Sequence, residues 1–407
     1  MTGAYDLPQL VSERPRDDVP ATRWSNDFLD RMRLVADPET DALARELFDL
    51  EGPPGLIRMT RALEDWEAPI PDTLPASMRE WFARPVSYPA FVDPAQLYVA
   101  EQLFVKYGPI SAAALLMCAV PHFFTNAAGA RAFYLAKIFS PESLRNRLLE
   151  ITQFIRSFTR YGGLAQLWLA PAQRGATIGP LGVLKGRGVM TVQKLRMIHA
   201  GIRLMLALPR EPERRWNADR CGSPINQEDL CEAILCFCFC TIDALAKLGF
   251  RQNAAEQEAT LCAWKTVGHL LGLVDELQPV DVDEGRALHK VLFERSCRET
   301  DESKALIAEL VHIMRGIVPG VLRPVPAALM RHLMGRRVAD QLAAPRSLVL
   351  GAGLAAAHRL FPGHPLSAGL AQLLSPWLVQ WMDTREASRS HPLLPDALAN
   401  ELGSHRA

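Results

Sequence analysis

The sequence predicts an all-α protein, and three observations carry that expectation. Apolar residues recur at helical spacing in long blocks from residue 95 almost to the end. Convincing apolar–polar alternation between turn signals is absent. Of the 407 residues, 49% are apolar and 22% are charged, the make-up of a chain with a large core and not of a disordered one. Lys+Arg (45) cancels Asp+Glu (45), so no global field exists to hold nucleic acid or cations without specificity.

Residues 1–25 read as an arm. Met1 to Pro20 has no basic start and no apolar stretch of the kind that directs export, so the expected location is cytoplasmic, or outside the cell if the chain is a trimmed mature form. Residues 26–50 and 56–66 read as short amphipathic helices. Six prolines, at 69, 71, 75, 85, 89 and 94, forbid a continuous helix and predict an extended wrap. Helical blocks then run over 95–107, 110–119, 141–159, 189–208, 227–248, 254–273, 302–316 and 327–340, with two or three more in 347–385. The expected organisation is an N-terminal arm and wrap over 1–94, one helical domain over 95–385 and a tail over 386–407.

Some helix starts are marked. Ser140-Pro141-Glu142 sets a cap before proline, and Asn226 precedes the acids Glu228 and Asp229. The apolar run Ile110 to Val120 stops at Pro121, too short for the roughly 20 residues of a membrane span, so it reads as a core helix. Tyr161 to Gly188 holds seven glycines and an apolar run from Leu164 to Ala170, a loop type that is often functional.

Several chemistries are excluded by their missing motifs. There is no His-Glu-x-x-His, no Gly-x-Ser-x-Gly and no P-loop. Of the eight cysteines, four crowd between Cys231 and Cys240. Helical residues two apart point about 200° apart, so Cys236, Cys238 and Cys240 cannot all meet one metal. They read as buried free thiols.

One histidine stands out. In the 189–208 block the apolar stripe is Val192, Leu195, Ile202 and Leu206, and His199 falls inside it. A core-facing imidazole in an all-α protein is a candidate axial ligand of haem. Arg196 and Arg203 edge the same stripe and suit haem propionates. The blander alternative is a hydrogen-bonded core histidine with two snorkelling arginines. In the 141–159 block, Arg147 lies on the margin of the stripe and Glu150 toward the polar side. They form either a surface ion pair or a pair that orients bound oxygen.

The segment Lys194-Leu-Arg-Met-Ile-His199-Ala-Gly-Ile-Arg203 resembles the histidine helix of the latex-clearing proteins, b-type haem rubber oxygenases within the wider MpaB-like group. A second block is similar too: Trp216, Gly222-Ser-Pro-Ile-Asn226-Gln-Glu-Asp-Leu230 and the cysteine-rich helix. A third follows, with Glu256-Gln-Glu, Trp264-Lys-Thr-Val-Gly268-His-Leu-Leu-Gly272 and Leu277-Gln-Pro279. The blocks stand in family order, and the resemblance runs from about residue 100 to 280, more loosely to 375.

The resemblance implies a globin-like helical core with added helices, and a non-covalent haem b held by His199. It implies cleavage by dioxygen of a carbon–carbon double bond in an apolar isoprenoid, small molecule or polymer. The family's distal helix carries an arginine, then lysine and threonine three and four residues on; here these positions read Arg147, Glu150 and Ile151. Glu150 is then a general acid–base or a structural partner of Arg147. Two other functions stay open: a non-catalytic helical binder of an apolar ligand, and a haem sensor or peroxidase-like protein.

Overall fold

The computed structural model describes residues 23–346 except 67, 88, 136–140, 161, 165–182, 185–186 and 209–214, and in addition Trp377. Of 109, 141–143, 145–147, 149–150, 183–184 and 187 only the backbone is described. The all-α expectation holds. The one strand pairing among the described residues joins β1 (Val86–Ser87) antiparallel to β2 (Val183–Leu184).

Helix α1 (Asn26–Met32) starts on Ser25, whose side chain accepts from the Phe28 amide. The expected helix over 26–50 is split, its second half joining most of 56–66 in α2 (Pro38–Leu63), which breaks at Gly52 with φ 63° ahead of Pro53 and Pro54. The proline-rich stretch is not wholly extended. It holds α3 (Ala76–Ala83), a helix short enough to fit between Pro75 and Pro85. Helix α4 (Pro94–Ala114), capped by Asp93, kinks at Gly108. It runs on through a π-helical turn (Leu115–Ala119) into α5 (Val120–Phe123). The two limbs, Pro94–Gly108 and Ile110–Phe123, stand at 87°. No single described helix is long and apolar enough to cross a membrane.

Helices α6 (Ala127–Leu135), α7 (Pro141–Thr159), α8 (Arg187–Leu206) and α9 (Ala218–Cys221) follow. Helix α10 (Gln227–Lys247) is capped by Asn226 as expected, and α11 (Ala254–Leu270) by a reciprocal Asn253–Glu256 box. After α12 (Val282–Ser296) and α13 (Asp301–Ile317), Gly335 at φ 85° separates α14 (Val325–Met334) from α15 (Arg336–Gln341). Helices α6 and α12 had no block of their own. The first is mostly small residues without a long stripe, and in the second charged residues surround Leu288 and Leu292. The Ser140 cap, most of the glycine-rich loop and the helices expected in 347–385 lie outside the described residues.

Four apolar cores organise the helices. The largest joins the π-turn and α5 to α10, α13, α14 and α15, with Leu144 and Leu148 of α7. A second lies between α4, α10, α11 and α12 and takes in Phe154 and Phe158 of α7. The third joins α2, α3 and α8, and a small fourth gathers Ala128, Leu135, Leu206, Trp216 and Cys221. Helix α8 reaches three of them. Val192 enters the second, Met197, Ile198, Ala200 and Met205 the third, and Leu206 the fourth. It is a central helix with apolar residues on more than one side.

Candidate functional site

Helix α8 is positioned by a backbone-to-backbone crossing. The Gly188 amide donates to the Gly163 carbonyl at 2.8 Å. A Cβ on Gly188 would stand 2.6 Å from Phe158 Cα and 2.7 Å from Gly163 O, so only glycine lets the end of α7 lie on the start of α8. This contact sets the register of the pair. Eleven residues back along α7 is Arg147, and eleven residues on along α8 is His199. At a rise of 1.5 Å per residue, both stand about 16 Å from the crossing.

His199 is half-buried. Its face of α8 carries Leu195 and Ile202, also half-buried, and beyond them the buried Val192 and Leu206. His199 therefore sits at the seam between the second and fourth cores, inside the stripe that the spacing predicted. The far side of the helix is sealed against α2, where Gly201 lies under Met59.

The flanking cations are engaged within the protein. Arg196 makes a two-pronged pair with Asp37, Nε to Oδ2 at 2.6 Å and a terminal nitrogen to Oδ1 at 2.9 Å, and also reaches Glu39 at 3.1 Å. Arg203 holds Asp41 at 2.7 Å and donates to the Thr40 hydroxyl. Burial pushes the Asp37 carboxyl up, but hydrogen bonds from Arg196 and Thr40 and the charges of both arginines outweigh it and hold it below its ordinary value. The expected propionate partners thus meet the protein's own carboxylates, at the start of α2. Lys194, fully buried, turns its ammonium to the carbonyls of Asp65 and Ala68, both at 2.7 Å, and ties down the chain leaving α2.

The three sequence blocks meet around these pairs. Gln227 donates to the Ala36 and Gly272 carbonyls and accepts from the Val274 amide. Gly272, at φ 87°, lies so close under the Arg196–Asp37 pair that a Cβ would stand 2.7 Å from Arg196 Nε. On the other flank an aromatic chain links helices across two cores. Phe237 stacks on Trp264 (5.8 Å, 12°) and on Phe123 (6.0 Å). Trp264 meets Phe158 edge-on at 5.3 Å, and Phe154 continues the chain to Trp66. Phe237 and Ile155 each pack against two cores yet stay partly exposed.

Residues 111–361, well over half of the chain, match the family described as "ER-bound oxygenase mpaB/B'/Rubber oxygenase, catalytic domain". The chain belongs to this oxygenase family. It is similar to the curated "Rubber oxygenase" of Streptomyces sp. (strain K30), 25% identical over 326 residues, 78% of this chain and 72% of that protein. It also resembles a solved structure, "Structure of Latex Clearing Protein LCP in the closed state". There the TM-score is 0.66 at 24% identity, over 86% of this chain and 91% of the other.

Two of the expected site residues of this MpaB/rubber-oxygenase member lie on α7. The backbone of Arg147 and Glu150 is in α7, but their side chains lie outside the described residues. Elsewhere, the structure shows a polar centre the spacing did not single out. Glu228 and Glu232 are buried and Asp229 is half-buried at the start of α10. The Asn126 side-chain amide donates to Asp229 at 3.0 Å and to Glu232 at 2.5 Å, and the Ser296 hydroxyl donates to Glu232 at 2.5 Å. Arg295 pairs with Glu228 at 2.6 Å.

Burial, only partly offset by these hydrogen bonds, pushes Asp229 up to about 6 and Glu232 to about 8. Two of these acids are in the first turn, where acids serve any helix, and that hid them. Glu232, one turn into an apolar run, was the available signal.

Proposed function

We propose that this family member is a haem b-dependent oxygenase that cleaves a carbon–carbon double bond of an isoprenoid-like substrate with dioxygen. The observation that carries the reading is His199, a half-buried imidazole at an apolar seam of the central helix, in a chain whose family is one of oxygenases. Haem fits the residues present. An imidazole nitrogen is the donor such iron takes, and Leu195, Ile202, Ile155 and Phe237 are interior apolar groups that retain exposure. Close-packed interiors seldom leave such groups without a partner. When bound, the haem supplies the chemistry of dioxygen.

The chain's own residues do the rest. His199 holds the iron through a ring nitrogen. The apolar walls bind the alkene, set its double bond against the reacting centre and keep water out. Arg147, on α7, orients the polar end of the reaction. Glu150, less than one turn further along α7, takes or returns a proton at a carboxylate oxygen. Arg196 and Arg203 act at a distance from this chemistry, by fixing α8 to the start of α2. The relative's printed name, rubber oxygenase, supports polyisoprene or a shorter prenyl alkene as the substrate class.

The test is the absorption spectrum of purified protein, oxidised and then reduced with dithionite. A Soret band with reduced α and β bands, and haem extractable into acidified solvent, is expected. His199→Ala should purify with much less haem. Oxygen uptake should follow addition of polyisoprene latex or a short prenyl alkene. No Soret band after adding hemin, or full haem retention by His199→Ala, overturns the assignment.

A further inference from the structure

A second cluster of ligand-bearing side chains lies in the largest core, on the face of α10 that carries Cys236 and Cys240. These two stand one helical turn apart, with sulfurs separated by 3.8 Å. Cys238 points into a different core, as its spacing requires. Against them pack the π-turn and α5, which present Cys118 and His122, again four residues apart. One ligand atom each from His122, Cys236 and Cys240 lies within 4.8 Å of the others, and all three residues are buried. Cys118 lies in the same core, close to Cys240.

His122 points to an occupant. It is 2% exposed, and neither ring nitrogen has a hydrogen-bond partner. Buried imidazoles are ordinarily satisfied, and one left with both nitrogens bare is costly. A buried imidazole nitrogen with no hydrogen-bond partner offers its lone pair to a metal. The sulfurs are at a binding distance already. Two sulfurs held at roughly 2.3 Å by a tetrahedral metal stand about 3.8 Å apart.

We propose that His122, Cys236 and Cys240, with Cys118 as the fourth ligand, form a buried structural site for a thiophilic d10 cation, Zn2+ or Cu+. Thiolate and imidazole are the donors such cations select, and hard cations are excluded because no carboxylate joins the set. Three thiolates and a neutral imidazole make a Cys3His set, a known structural zinc donor set, and leave one net negative charge around Zn2+. Each sulfur–metal bond that forms from a thiol releases one proton to solvent, and no electron is transferred. Two i,i+4 pairs on facing elements make the site, so a bound ion would staple the π-turn to α10 at the heart of the largest core. This site is separate from His199 and does not depend on haem.

The experiment is elemental analysis of the full chain purified under reducing conditions from medium containing zinc and copper. Iron is counted separately as the measure of haem. Near-stoichiometric zinc or copper is expected, with the identity of the metal deciding between the two. In the Cys236→Ser/Cys240→Ser protein it should fall by at least about tenfold while iron is unchanged. X-ray absorption at the edge of the bound metal should show sulfur at roughly 2.3 Å and a nitrogen near 2.0 Å for zinc. That measurement needs only the wild-type chain, so it stands if the variant fails to fold. Substoichiometric metal after reconstitution, metal retained by the double variant, or a shell of oxygen and nitrogen alone overturns the proposal.

Discussion

Replacing Gly188 by alanine tests the crossing that sets His199 against α7. The added Cβ would stand 2.6 Å from Phe158 Cα and 2.7 Å from both Phe158 Cβ and Gly163 O. Restoring an ordinary contact of 3.4 Å requires α8 to retreat by about 0.8 Å. Two of the obstructing atoms are backbone, so no rotamer change relieves the clash. Overpacking of this kind costs about 1–3 kcal/mol, and alanine's better helix propensity returns at most about 1.

The expected net loss is about 1–2 kcal/mol by chemical denaturation. Activity should fall further than stability, because a displacement near 1 Å at a reacting geometry can cost about a hundredfold. Gly201→Ala is the matched control. Its one close contact is the mobile end of Met59, at 2.9 Å, so it should be neutral or stabilising by up to about 1 kcal/mol. Equal stability of Gly188→Ala and wild type, or equal loss in the two variants, would refute the reasoning.

Lys194→Met should destabilise by about 2–3 kcal/mol in urea titrations, because it leaves the Asp65 and Ala68 carbonyls without their buried donor. Glu232→Gln tests the buried acids through pH. The carboxyl is raised to about 8 in the fold, so its contribution is full below its ordinary value and is lost as pH rises to about 8. The glutamine variant should therefore gain on wild type across that window, by at most about 5 kcal/mol, and a pH-independent difference would contradict the assignment. Arg196→Gln acts at the acid end. Asp37 is depressed in the fold, so its stabilisation is lost as pH falls through its folded value. Without Arg196 that value rises, and acid unfolding monitored by circular dichroism should begin at higher pH.

Much of the scaffold was legible because its signals are local. Pro141 opens α7, Asn226 caps α10, and the stripe through Val192 and Leu206 placed His199 on an inward face. What escaped depends on partners distant in sequence. Arg196 and Arg203 read as free to meet a ligand because Asp37 and Asp41, more than 150 residues away, leave no mark in their own helix. Helix α6 escaped because alanine and glycine carry little periodic signal. Cys118 and His122 looked unremarkable until α10 brought two more sulfurs to them.

The reach of α8 into three cores has a consequence for how the molecule opens. A helix belonging to one core can fray while the others stand, but α8 cannot leave without exposing part of all three. Its amides should therefore exchange with solvent only through near-global opening. A ligand seated at His199 then does not stiffen a local pocket alone. It raises the free energy of the whole opening reaction, by an amount set by its concentration over its dissociation constant. Loading of the seam should be measurable as slowed exchange in helices that never touch the ligand.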